Sequence, residues 1–305
     1  MPHSLHDHQH KSKRVVVGLG EILWDIFPDG PRCGGAPANF ACIAAGLAED
    51  RFEVVMASSV GSDDLGDRAI ESLTQHNVKT SCVQRASRPT GQVLVELDSK
   101  GVARYQFAVD AAWDHLEWSD DLERLAARTD AVCFGTLGQR SLLSRETIQR
   151  FLKAGRPVSL RILDLNVRKP FVSESVIVES LKCANVLKLN DEELPVLATL
   201  CGLLGSDQKV MQRIAELFDL QAFALTRGDQ GALLGRGREM SEHSGIIVDV
   251  VDTVGAGDAF TAVLTLGLLE GLDLDVINRT ACEVAAFVCS QSGGTPKISR
   301  QIGSW

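Results

Sequence analysis

The sequence contains no glycine followed by lysine, so the Walker phosphate loop GxxxxGK[ST] is excluded outright. The dinucleotide fingerprint GxGxxG is absent as well. Gly18-Leu-Gly20 begins it, but position 23 is Leu, and after Gly255-Ala-Gly257 position 260 is Phe. The eight cysteines, at positions 33, 42, 82, 133, 183, 201, 282 and 289, form no CxxC. Several sit in apolar stretches, where a cysteine serves as a small buried hydrophobe. No apolar run reaches the length of a membrane span, and no signal-peptide pattern opens the chain. A reduced, cytoplasmic protein is expected, with no membrane partner. No basic stripe is present either: net charge is −9 and the sequence pI about 5.3, so nucleic acid is not an expected partner. Nor is there an internal repeat.

What is present is enough apolar material for a large core, since 45% of the 305 residues are hydrophobic. Residues 1–13 carry His3, His6, His8 and His10 without any apolar pattern, and read as a disordered tail outside the fold. The folded domain is expected over residues 14–305. Arg14–Gly20 is a short apolar run ending in glycine, a buried first strand. Ala38–Ala48 reads as a helix of small residues pressed on something flat. Phe52–Ser59 reads as a strand and Leu65–His76 as an amphipathic helix. Gln92–Asp98 and Ala103–Phe107 alternate on either side of a Ser-Lys-Gly turn, which predicts a hairpin with one wet face.

From there strands are expected at 131–134, 158–163, 186–189, 222–226, 232–234 and 246–251. Helices are expected at 145–154, 174–182, 192–200, 208–218, 257–269 and 274–291. This order predicts an α/β fold: a mostly parallel sheet with helices on both faces. The hairpin stands apart as a small β-sheet lid, formed from about 24–36 and 83–112.

Chemistry concentrates in Asp252-Thr-Val-Gly-Ala-Gly-Asp-Ala-Phe260. Gly255, Ala256 and Gly257 leave backbone N–H groups uncovered at a helix N-terminus, and those donors suit phosphate oxygens. Asp258 stands beside them, within reach of an attacking hydroxyl. Spacing alone leaves a simple helix cap equally open. Gly34-Gly-Ala-Pro-Ala-Asn39 lets backbone approach a ligand and ends in an amide that both donates and accepts; a turn with an N-cap explains it as well. Asp25, among Ile, Trp and Phe, is either solvent-facing or kept for a polar ligand. Asn190-Asp-Glu-Glu193 is either a capped helix start or a water-mediated Mg²⁺ contact.

Taken together in this order, the motifs resemble the signatures of the ribokinase/PfkB carbohydrate kinases. Asn190-x-x-Glu193 is similar to that family's magnesium motif, and Leu225-Thr-Arg-Gly228 to its nucleotide-side strand end. The resemblance runs from Val15 to Pro296. It implies a ribokinase-like three-layer α/β/α fold with a lid, and transfer of the γ-phosphoryl group of ATP, with Mg²⁺, to a sugar hydroxyl. Under it Asp258 becomes the base, and the backbone of Val254, Gly255, Ala256 and Gly257 the anion hole. Asp25, Gly34, Gly35 and Asn39 become sugar contacts; Arg104 on the lid either reaches the sugar or faces solvent, and Arg168 is an ATP-side charge, a substrate contact or a surface ion pair. Lys188, Asn190, Thr226 and Gly228 lie by the nucleotide, Asn190 and Glu193 by Mg²⁺, and Asp252 with Thr253 at a site that binds K⁺ in some members. Homodimers through the lid occur among such relatives.

Glu21 with Asp25, the first glycine motif, Gly135-Thr-Leu-Gly138 and Asp164-Leu-Asn-Val-Arg168 look most like fructokinases. Ala36 stands where ribokinases have Lys, and Arg168 also suits the 2-keto-3-deoxygluconate kinases. Trp113 either narrows the sugar pocket or packs beneath the lid. Ribose, an acidic keto sugar and a nucleoside stay open as acceptors, as does an inactive sugar-binding regulator.

Overall fold

The computed structural model describes residues 13–28, 30–97 and 103–298, without side chains for 95–97 and 103–105. The expected tail falls outside these residues, apart from Lys13. Among the described residues the main sheet has nine strands. They are β1 Arg14–Leu19, β4 Phe52–Gly61, β5 Lys79–Ala86, β8 Ala131–Gly135, β9 Leu160–Asp164, β10 Val186–Asn190, β11 Ala222–Thr226, β12 Ala232–Arg236 and β13 Glu239–His243. They lie in the order β13-β12-β11-β10-β9-β8-β1-β4-β5. All neighbours from β11 to β5 pair in parallel, while β12 pairs antiparallel with both β11 and β13.

The alternation within β1 shows how the layers arise. Val16 faces one apolar core, shared with helices α1 Ala36–Ala48, α2 Asp64–Gln75, α8 Ala256–Glu270 and α9 Leu274–Cys289. Val15, Val17 and Leu19 face the other, shared with α3 Asp120–Arg128, α4 Leu142–Ala154, α5 Glu174–Cys183, α6 Leu194–Cys201 and α7 Asp207–Leu217. Period-2 side chains on a sheet covered by helices on both faces give three layers. Small residues bring α1 close: a Cβ on Gly18 would collide with the Pro37 carbonyl and lie 3.2 Å from the Ala41 Cβ.

A second sheet has the order β3-β2-β6-β7, with β2 Leu23–Phe27, β3 Gly30–Gly34, β6 Gly91–Leu97 and β7 Ala103–Phe107. β6 and β7 form the hairpin, and β2 joins β6 in parallel with Asp25 beside Val93.

One expected strand is not there. Residues 246–251 lack strand structure, and Ile247 is 95% exposed, because the hairpin partner of β12 is β13, seven residues earlier. β-branched residues favour a strand only where a neighbour offers a ladder and a surface to pack on. The short α3 is amphipathic but was not expected from the pattern.

Candidate active site

Going along the main sheet, the chain order reverses direction between β1 and β8. Open parallel sheets bind ligands beyond the C-terminal ends of the strands at such a point. A cavity of about 370 Å³ lies there. It is lined by residues at the ends of β1, β8, β9 and β10 (Glu21, Leu137, Asp164, Lys188), by the small sheet, and by the start of α8.

The glycine turn before α8 places the central acid. Gly255 caps the helix with φ +80°, and its bare α-carbon lies against the Gly294 carbonyl. The first-turn N–H groups of Gly257 and Asp258 have no i−4 carbonyl to reach. Among the described residues no carbonyl of the chain takes them, and Ala256 makes only a long 3.4 Å contact to the Thr253 carbonyl. The Asp258 carboxyl is on the cavity wall, and its Oδ2 accepts from the Asn39 side-chain amide at 2.9 Å. Burial pushes this carboxyl up to about 6, the nearby Asp164 adds to the rise, and Asn39, Lys188 and Arg168 pull it back. An acid in this range is ionised at neutral pH yet basic enough to accept a proton.

Lys188, deep in β10, reaches Asp164 at 3.1 and 3.2 Å. Its ammonium would lie 2.9 Å from a Cβ on Gly257, directly beneath the helix start. The second acceptor bond of Asp164 comes from Thr261, one turn along α8. Burial pulls the Lys188 ammonium down, but the Asp164, Glu193 and Asp258 carboxylates outweigh it and the pKa is raised.

On the other wall, Asp25 projects from β2 into the cavity, and burial pushes it up to about 6 against the pull of Arg168. Gly34 leaves room for it, since a Cβ there would sit 2.8 Å from Asp25 Oδ2. Gly35 (φ +104°) is equally obligatory: its Cβ would lie 2.5 Å from the Glu21 carbonyl. Arg168 lines the cavity from an exposed position, with no ion pair among the described residues. Arg104 lies opposite Glu96 in the β7 ladder, and the expected role of its side chain falls outside the described residues.

The remaining expectations sort by geometry. Thr253, Val254, Gly255 and Gly257 line the cavity, as does Asn190. Thr226 and Gly228 do not line it; they follow β11, next to the end of β10, where Asp191 N–H donates to the Thr226 carbonyl at 3.0 Å. Asn190 and Glu193 form a reciprocal cap: Asn190 N–H donates to Glu193 Oε2 and Glu193 N–H to Asn190 Oδ1, each at 2.9 Å. Glu193 Oε1 accepts from Val167 N–H at 2.7 Å. Asp252 accepts from the N–H groups of Val254 and Gly293 and faces Arg32 of β3 at 3.6 Å. Trp113 packs beneath the small sheet, where a Cβ on Gly91 would meet its ring, and is not a wall of the cavity.

The sequence named Glu21 and Asp164 only as parts of a fructokinase-like pattern, without a role in the site, and did not single out Thr261.

The model of the pfkB family carbohydrate kinases matches residues 31–300. The chain belongs to that family. PH1459 of Pyrococcus horikoshii, described as an uncharacterized sugar kinase, is 30% identical over 93% of each chain. Its structure in complex with ATP superposes with a TM-score of 0.76, covering 92% of this chain and 94% of that one. The fructokinase of Klebsiella pneumoniae is 31% identical over 83% of each chain. The ribokinase of Thermotoga maritima, 22% identical with a TM-score of 0.76 over 95% of this chain and 97% of that one, shares the fold. The three-layer architecture with its small second sheet is therefore ribokinase-like, and this pfkB-family chain is a sugar kinase. No helix among the described residues is long and apolar enough to cross a membrane.

Proposed function

We propose that the chain transfers the γ-phosphoryl group of ATP to a hydroxyl of a neutral sugar, fructose first among the acceptors. One observation carries this reading: the Asp258 carboxyl and the uncommitted N–H groups of Gly257 and Asp258 meet at one cavity wall. Phosphoryl transfer needs alignment and charge neutralisation more than covalent help. Asp258 accepts the proton of the attacking hydroxyl through Oδ1, the oxygen that no hydrogen bond occupies among the described residues, while Asn39 holds Oδ2. The backbone donors of the glycine turn stabilise the negative charge on the transferring group, with Lys188 behind Gly257 adding positive potential. Asn190, Thr226 and Gly228, at the ends of β10 and β11, border the nucleotide.

Mg²⁺ is supported in an outer role only. The oxygens of Asn190 and Glu193 already accept backbone N–H groups, so their remaining lone pairs suit water around the ion rather than the ion itself. Among the described residues no cluster of three acids, cysteines or histidines could hold a metal. The ion's contribution when bound is to neutralise phosphate charge. A K⁺ site at Asp252 fits less well, because two amides and the Arg32 guanidinium already surround that carboxylate.

The charge balance favours a neutral acceptor. Asp164 and Lys188 offset each other, which leaves Glu21, Asp25 and Asp258 facing Arg168 among the described side chains. A carboxylate or phosphate on the acceptor would enter against three acids, whereas sugar hydroxyls can donate to all of them. The test is a coupled assay of ADP release over fructose, ribose, ketodeoxygluconate and adenosine. Turnover is expected with fructose. Activity confined to another member of the panel overturns fructose, and turnover of none overturns the kinase reading.

A further inference from the structure

Phosphoryl transfer through Asp258 leaves a second acid on the same cavity without a task. Glu21 follows β1 and is only 2% exposed, yet it lines the cavity. The backbone N–H groups of Glu21 and Ala36 lie close enough to moderate its charge, and Gly35, the N-cap of α1, has no side chain. Oε2 has no hydrogen-bond partner among the described residues. A Cβ on Gly138 would lie 3.2 Å from Oε2, so the space beside this oxygen is kept open by a glycine. An unpaired carboxyl oxygen at such depth destabilises the chain unless something enters to satisfy it. Capping alone does not call for it, since Asp63 and Ser119 cap other helices of this chain from its surface. Burial, with Asp258 adding to it, pushes the Glu21 carboxyl up to about 7.

Building on the sugar-kinase reading, we propose that Glu21 is an acceptor-binding residue whose Oε2 accepts a hydrogen bond from a sugar hydroxyl at the floor of the cavity. The chemical class follows. The acceptor carries a hydroxyl, not a carboxylate or phosphate, at the position that meets Glu21, because a second anion beside a buried carboxyl already flanked by Asp258 would add repulsion that a hydroxyl donor avoids.

The test is Glu21→Gln, assayed with the best acceptor and its monodeoxy analogues. The amide keeps the size of the side chain and replaces one acceptor oxygen by an NH₂ group, a donor only. The acceptor KM is expected to rise tenfold or more with ATP KM unchanged. One deoxy analogue should lose efficiency on the wild type and lose nothing further on the variant, which names the hydroxyl. An unchanged acceptor KM in folded Glu21→Gln overturns the proposal, as does equal sensitivity of both proteins to every deoxy analogue. If Glu21→Ala unfolds while Glu21→Gln is kinetically normal, its role is structural only and the proposal falls. Should the wild type phosphorylate no sugar, the kinase reading fails first. Calorimetric titration of the same sugars then decides separately: weaker binding to Glu21→Gln by tenfold supports Glu21, while equal or absent binding overturns it.

Discussion

On the wall built by β9, β10 and α8, the Asp164 carboxyl is met by Lys188 and by Thr261, and Asn190 and Glu193 satisfy each other. Across the cavity, between β1 and the small sheet, Glu21 keeps an oxygen without a partner among the described residues, and Asp25 is pushed up to about 6 while Arg168 and Arg32 pull it down. Both walls bury acids, but only one completes them from its own chain. The completed wall is fixed in geometry before any ligand arrives, as a site for a developing charge requires. The incomplete wall holds its acids at a cost that a ligand's hydroxyls can offset. Asp258 stands at the seam, held by Asn39 of α1 on one side and flanked by Asp164 and Lys188 on the other.

The largest expected effect lies at that seam. Asp258→Asn should keep the fold and sugar binding and lower kcat by about 10²–10⁴, read from single-turnover phosphoryl transfer; near-normal turnover would remove Asp258 as the base. On the completed wall, Lys188→Met leaves Asp164 buried and unpaired, and should cost about 3–5 kcal/mol in urea unfolding. Adding Asp164→Asn should restore much of that loss; if the single variant is as stable as the wild type, the pair is not what orders this wall.

Next comes the incomplete wall in the absence of sugar. The Glu21 carboxyl is raised to about 7 in the folded chain from an ordinary value of 4.5, so between those pH values the folded state binds more protons than the unfolded one. Its contribution to stability is therefore present at low pH and lost as pH rises through about 7. Calorimetry should find Glu21→Gln more stable than the wild type at pH 8, by on the order of 2–3 kcal/mol, and the two nearly alike at pH 4. A variant less stable at pH 8 would reverse the contrast between the walls. The smallest effect is graded: with Asp258 titrating at about 6, kcat/KM should fall roughly tenfold per unit only below that pH. A flat profile down to pH 5 would place the base elsewhere.

How much of this could be read from residues differs by element. Long segments with a clean period, such as α2, α7 and the apolar strands β8 and β11, were legible to within a few residues, because their burial pattern is written locally. Residues 246–251 looked like a strand by composition and are not one, since strand formation needs a neighbour that composition does not name. In the site, Asp258, Asn39 and Gly255 stood out through glycine-rich spacing, which by itself left a helix cap or a turn equally open; the order of the motifs along the chain added the rest. Asp164 and Thr261 did not stand out: a single acid at a strand end and a threonine within a helix are unremarkable until they lie 2.8 Å apart.

By itself, the sequence determined the layer order, the helix that opens with a glycine turn and the acid in its first turn, since each depends on neighbours a few positions away. Tertiary structure alone decided which acids are answered and which are left open. Among the described residues Oε2 of Glu21 has no partner because of what β1, α1 and the loop after β8 bring around it, and those segments are joined only by the closing of the sheet.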